Sequence, residues 1–236
     1  MRSGSSLTAE GVALQADLFA SGELAVEPQR RAREWLDDTS WIDVCPLWLR
    51  GADDLLFDLQ RALPWRQGTR VMWGQIVAEP RLTVGCAVSH RRVPESVREI
   101  SRSLSKDFGE PLTMLWANWY RDGNDAVAWH GDRVARWSVD PTVAIVSLGG
   151  PRRFVIKPRP GHEGASRTFT LSSGDLLVMG GRCQVDYLHA VPRQRGAHPR
   201  ISLTFRVPDP NGFDEGAFVG YSADARDRGA WPPTES

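Results

Sequence analysis

Five histidines are few enough for each to be weighed singly. His130 lies in Trp129-His130-Gly131-Asp132. In an extended segment residues i and i+2 share a face, so this imidazole and this carboxylate project together. A lone His-x-Asp is a common surface arrangement. His189, in Tyr187-Leu188-His189-Ala190, follows the apolar run Leu176-Leu177-Val178-Met179. Two imidazoles and one carboxylate on separate strands can hold a ferrous ion as a facial triad, leaving three positions open for a co-substrate and dioxygen. Two unrelated core histidines account for the same residues equally well at this point. His90, His162 and His198 sit in polar loop sequence and are given no role.

The next candidates are cations. Arg200-Ile201-Ser202-Leu203-Thr204-Phe205-Arg206 alternates strictly, with Ile201, Leu203 and Phe205 on one face and Arg200, Ser202, Thr204 and Arg206 on the other. The plain alternative is a half-exposed strand with its polar face in water. Two guanidinium forks on one face, shortly after His189, can also grip both carboxylates of a dicarboxylic acid by bidentate pairing. Leu115-Trp116-Ala117-Asn118-Trp119-Tyr120 likewise projects Asn118 and Tyr120 together and runs directly towards His130. A metal triad, a carboxylate clamp and two neutral hydrogen-bonding groups form one coherent site.

These residues need a scaffold of strands. From Leu112 onward the sequence reads as short strands (Leu112–Tyr120, Thr142–Leu148, Arg153–Lys157, Thr168–Leu171, Asp175–Met179, Arg200–Val207) separated by Gly, Asn, Asp and Pro turns, a pattern of sandwiches and barrels. Upstream, Ala52–Leu63 carries Leu55, Leu56, Leu59 and Leu63 at helical spacing, and Pro94 opens a second helix with Val97, Ile100, Leu104 and Phe108 on one stripe. A short helix is expected around Pro28–Leu36. Trp65–Ala87 reads as extended, with a turn at Glu79-Pro80. Residues 1–50 are expected as an N-terminal extension, 51–207 as the domain with its β core from about residue 112, and 208–236 as an irregular tail.

The 236 residues are 41% hydrophobic and 25% charged, which excludes wholesale disorder. No run approaches a membrane span or a secretory leader, and three cysteines without Cys-x-x-Cys spacing suit a reducing cytoplasm. Net charge is zero, against a generic nucleic-acid binder but compatible with a local basic face. Of the 29 basic residues only Lys106 and Lys157 are lysine. A GC-rich genome explains that bias; arginine forks also suit phosphate and carboxylate binding.

Taken together, Asn118-x-Tyr120, Asp122-Gly123, His130-x-Asp132, Ser147-Leu148-Gly149, Gly174-Asp175, His189 and Arg200 through Thr204-Phe205-Arg206 resemble the AlkB-like iron(II)/2-oxoglutarate dioxygenases. The resemblance implies an α+β, mainly β fold, a double-stranded β-helix (jelly roll) buttressed by N-terminal helices. It implies that His130, Asp132 and His189 bind Fe(II), and that Asn118, Tyr120, Arg200, Ser202 and Arg206 hold 2-oxoglutarate, with O2 completing the chemistry. Ser202 stands where many members carry Asn, so a hydroxyl replaces an amide. Val134 stands where close relatives carry an acidic residue beside the base. The implied reaction is oxidative dealkylation of bases in DNA or RNA by a cytoplasmic monomer. Trp73 and Trp129 are candidate stacking surfaces, and Arg152 and Arg153 candidate phosphate contacts. The alternatives are a hydroxylase or demethylase acting on a small molecule or protein, and a non-catalytic jelly-roll binding module.

Overall fold

The structure, a computed structural model, describes residues 24–27, 32–72 and 74–210. Trp73, the first part of the expected Pro28–Leu36 helix and residues 211–236 of the expected tail lie outside the described residues. In chain order the elements are β1 (Ala25–Val26), β2 (Ala32–Trp35), β3 (Ser40–Cys45), β4 (Leu49–Arg50), α1 (Ala52–Ala62), β5 (Arg66–Met72), β6 (Gln75–Ala87) and α2 (Glu95–Phe108). They continue as β7 (Met114–Tyr120), β8 (Val127–His130), a 3-10 turn (Arg133–Arg136), β9 (Val143–Gly149), β10 (Arg152–Pro158), β11 (Arg167–Leu171), β12 (Leu176–Gly181), the single-turn α3 (Cys183–Asp186), β13 (Tyr187–Val191) and β14 (Arg200–Arg206).

Two antiparallel sheets dominate. The larger has eight strands in the order β2-β3-β12-β9-β14-β7-β6-β5, and the smaller has four in the order β11-β10-β13-β8. Strict alternation in β14 sends Ile201, Leu203 and Phe205 to one side, where they join Leu55, Leu56 and Leu59 of α1 and Val97, Ile100 and Leu104 of α2 in one apolar core. The helices therefore buttress the outer face of the large sheet. A second core, including Ile145 and Met179 from the large sheet and Phe154, Ile156 and Val191 from the small one, fills the space between the sheets. Helix α1 begins after Gly51 with Asp53 and Asp54 in its first turn, where the helix dipole favours negative charge. Helix α2 stops at Gly109, whose φ of 68° is a left-handed cap that glycine adopts without strain.

Three expectations need correction. Ala32–Trp35 is a strand, not part of a helix; it pairs with β3 through Ala32↔Val44 to Trp35↔Trp41. β3 in turn pairs along its whole length with β12. β2 and β3 are thus strands of the large sheet rather than an extension outside the domain. Finally, β6 runs through Glu79-Pro80 without turning. The β5–β6 register shifts between Gln67 and Thr69, leaving Glu79, Pro80 and Arg81 opposite Gly68 alone, so Pro80 sits within a bulge, where a missing N–H is tolerated.

Candidate active site

The polar face of the large sheet looks into the space between the sheets. Cross-strand register lines up Thr83, Asn118, Ser202 and Ser147 in one row across β6, β7, β14 and β9. Opposite them, register pairs His189 of β13 with His130 of β8. The two imidazole centroids are 4.3 Å apart, and the Phe154 ring stacks on His189 at 5.4 Å. Between the sheets lies a cavity of about 240 Å³, whose walls include His130, Asp132, His189, Asn118, Tyr120, Arg200, Ser202, Arg206 and Trp129. The structure brings together the whole expected triad and clamp.

Candidate ligand atoms of His130, Asp132 and His189 all lie within 4.8 Å of one another. The His130 Nδ1–H donates to the Ala128 carbonyl at 2.8 Å, since a carbonyl can only accept. That bond leaves Nε2 free as a ligand and turns it towards Asp132, whose Oδ1 is 4.0 Å away. His189 has a buried Nδ1 with no hydrogen-bond partner among the described residues. Burial, together with neighbouring His130, pushes the His189 imidazole down to about 3, so it is neutral at physiological pH. Burial alone would raise Asp132, but Arg206 and the two histidines hold it below the usual carboxylate range. Two neutral imidazoles and one carboxylate, with an orphaned nitrogen among them, fit a divalent iron ion.

Asp132 is aimed by a residue the sequence reading did not single out. The buried Gln184 of α3 accepts the Asp132 backbone N–H at 2.8 Å. This approach requires a glycine between the ligands, because a Cβ on Gly131 would sit 2.8 Å from the Gln184 carbonyl oxygen. Arg206 approaches Asp132 Oδ1 at 3.5 Å through Nη2.

The clamp end is cationic and unsatisfied. Arg200 is 1% exposed, donates from Nε to Ser147 Oγ at 2.8 Å and lies 5.3 Å from the Tyr120 ring centre. It forms no ion pair among the described residues, and its Nη1, like Arg206 Nε, is buried without a hydrogen-bond partner. A desolvated guanidinium with spare donors is costly unless an anion completes it. The donors suit the two carboxylates of 2-oxoglutarate. Asn118 Oδ1 accepts from Arg81 Nε at 3.0 Å, and its Nδ2 lies 3.5 Å from Ser202 Oγ.

Four substrate-side expectations fare differently. Trp129 lines the cavity, is 44% exposed and carries Lys157 Nζ 4.4 Å from its ring centre. Val134, expected beside the substrate, is fully buried in the inter-sheet core, because the 3-10 turn rolls it inward while Arg133 faces the cavity. Arg152, expected at the rim, is also fully buried; it faces the Tyr120 ring and donates to the carbonyls of Asp122 and Asp125. It cannot reach a phosphate. Arg153, its alternate on β10, is exposed. Glu79, Arg81 and Trp116 line the cavity and were missed. For Glu79 and Arg81 the signal was the proline between them inside an alternating segment, which marks a bulge as readily as a turn, and for Trp116 it was the alternation it shares with Asn118 and Tyr120.

Residues 80–206 match the family model of the 2OG-Fe(II) oxygenase superfamily. The chain is 30% identical over 196 residues to the alpha-ketoglutarate-dependent dioxygenase alkB homolog 3 of Bos taurus, covering 73% of this chain and 68% of the relative. The human protein of the same name is 29% identical over 185 residues, covering 70% of this chain and 65% of its own length. The DNA oxidative demethylase ALKBH2 of Arabidopsis thaliana is 29% identical over 187 residues, covering 63% of this chain and 60% of its own. The chain thus spans about two thirds or less of these relatives. The solved structure of OsALKBH1 aligns with a TM-score of 0.52 at 15% identity, over 75% of this chain and all of that one, which shows the shared jelly-roll fold. The chain therefore belongs to the 2OG-Fe(II) oxygenase superfamily and is AlkB-like within it, and its His130-Asp132-His189 group fits the iron that the family's name carries.

Proposed function

We propose that this dioxygenase oxidatively dealkylates alkylated bases in nucleic acid. The observation that carries the reading is one cavity with two chemically different ends. Around His189 and Arg200 it offers neutral imidazoles and unpaired guanidinium donors; at its mouth it offers the half-exposed Trp129 ring with a lysine over it. A flipped base presents a flat π face and a phosphate backbone, which an aromatic ring and a cation can meet. Similarity to a relative named a DNA oxidative demethylase supports the same substrate class.

In this reading His130, Asp132 and His189 hold the iron. Arg200 and Tyr120 take the distal carboxylate of 2-oxoglutarate, and Arg206 and Asn118 lie towards its other end, with Ser202 beside Asn118. When bound, the metal with its co-substrate and dioxygen supplies oxidation of a C–H bond, coupled to conversion of 2-oxoglutarate to succinate and carbon dioxide. The protein orients, neutralises and excludes water. The Ala128 carbonyl fixes the His130 tautomer, Gln184 aims Asp132, and Phe154 walls the histidine end. An N-methyl group hydroxylated in this way leaves its nitrogen as formaldehyde.

The test is a panel of strands carrying single N-methylated bases, scored by formaldehyde release with iron(II) and 2-oxoglutarate. Release from at least one methylated strand, and none from its unmodified counterpart, is expected. Formaldehyde from no strand, with brisk 2-oxoglutarate turnover on small amines or peptides, would transfer the protein to the small-molecule or protein class.

A further inference from the structure

Among the described residues lining the cavity only two are acidic, Glu79 and Asp132. Asp132 belongs to the triad. Glu79 projects from β6 in the bulge opposite Gly68, and it is 3% exposed. Its Oε2 makes an ionic contact with Arg81 Nη2 at 3.0 Å but accepts no aligned hydrogen bond. A buried carboxylate offers about four acceptor positions, and one arginine fork that also serves Asn118 uses few of them. The cavity wall otherwise carries Arg81, Arg133, Arg200 and Arg206, a field that opposes any cationic guest. The position two residues after Asp132 cannot supply an acid, because Val134 is apolar and buried away from the cavity.

We infer that Glu79 is the specificity residue of the substrate pocket, the acceptor for a base that presents an amine edge and carries positive charge. N-alkylation on the pairing edge of cytosine or adenine produces such a base; the same modification of thymine leaves a neutral ring with carbonyl edges. Arg81 holds the Glu79 carboxylate in place through its 3.0 Å contact, and through Asn118 it joins the substrate mouth to the co-substrate end. The inference rests on the nucleic-acid reading above and adds the residue that selects the base.

Glu79→Gln tests it with little change of shape. The glutamine oxygen can still accept from Arg81, while its amide now offers a donor to the guest. The measurement is kcat/KM by formaldehyde release on two otherwise identical strands, one with 3-methylcytosine and one with 3-methylthymine. Wild type should favour 3-methylcytosine, and the variant should lose about tenfold or more on that strand while 3-methylthymine is unchanged or improved, the loss expected of one charge-assisted hydrogen bond. An equal fall on both strands, accompanied by weaker 2-oxoglutarate binding, would make Glu79 a structural partner of Arg81 and overturn the inference. An unchanged ratio at full activity would overturn it too. Wild-type protein that demethylates neither strand nor any other methylated base would overturn the nucleic-acid reading itself, and the inference with it.

Discussion

Asp132 takes its orientation from groups distant in sequence, and this fixes what single substitutions should do. Asp132→Ala removes a carboxylate but keeps the backbone N–H that Gln184 accepts, so the loop keeps its anchor. Succinate production under limiting iron should disappear while the cooperative thermal transition stays near its wild-type temperature. Gln184→Ala should act more gently. It leaves every triad member in place but frees Asp132 to rotate, and outer-sphere losses of this kind typically cost about 10- to 100-fold in metal affinity. Competition against a chelator should show weaker iron binding, with much of kcat recovered at saturating iron and rescue by Gln184→Glu, which keeps the acceptor. At the clamp, Arg200→Lys and Arg206→Lys retain charge but lose the planar fork. A lost bond to a charged group costs about 1.5–3 kcal/mol, so 2-oxoglutarate affinity should fall roughly tenfold to a hundredfold in direct binding.

Elements decide which of these residues meet, and here the sequence was legible in part. The β14 alternation gave the correct division between an apolar face on the helices and a polar face, but the polar face looks into a cavity rather than water. Nothing in a single strand distinguishes these; pairing of His189 with His130 across β13 and β8 encloses the space, and that is a long-range fact. The same limit misplaced Arg152, expected as a phosphate contact but buried at the start of β10. Val134 was misjudged because a 3-10 turn, not an extended strand, follows Asp132. Strand β2, which leads into the β2–β3 turn, was read as helix because its four residues Ala-Arg-Glu-Trp include none that is β-branched. What holds that turn is Asp37, which accepts from the Thr39 and Ser40 backbone N–H groups at 2.7 Å each and meets His162 Nε2 at 2.9 Å. Burial would raise its carboxyl, but these hydrogen bonds more than offset that and hold it well below the usual range. A depressed folded-state value contributes stability that is present above the unfolded value of about 3.9 and lost as pH falls below it. Asp37→Asn should therefore lower stability by about 1–2 kcal/mol at neutral pH and flatten its decline below about pH 4, measured by urea unfolding across pH.

Across the whole molecule, formal charge is balanced, so affinity for a polyanion must come from local placement. Arg133 faces the cavity and Lys157 sits over Trp129, whereas Arg152 is inaccessible. Binding to a methylated strand should weaken as salt rises, and replacing Arg133 and Lys157 by Gln should reduce that slope by about two phosphate contacts. Replacing Arg153, exposed but outside the cavity wall, should alter it less. No helix among the described residues is long and apolar enough to cross a membrane. The measurement that tests the central claim most directly is the coupling between co-substrate and substrate. With a methylated strand, iron(II) and 2-oxoglutarate, succinate and formaldehyde should appear in equal amounts, and succinate formation should be much faster than with the unmodified strand. Succinate formed at one rate regardless of the strand, with no formaldehyde, would contradict the account.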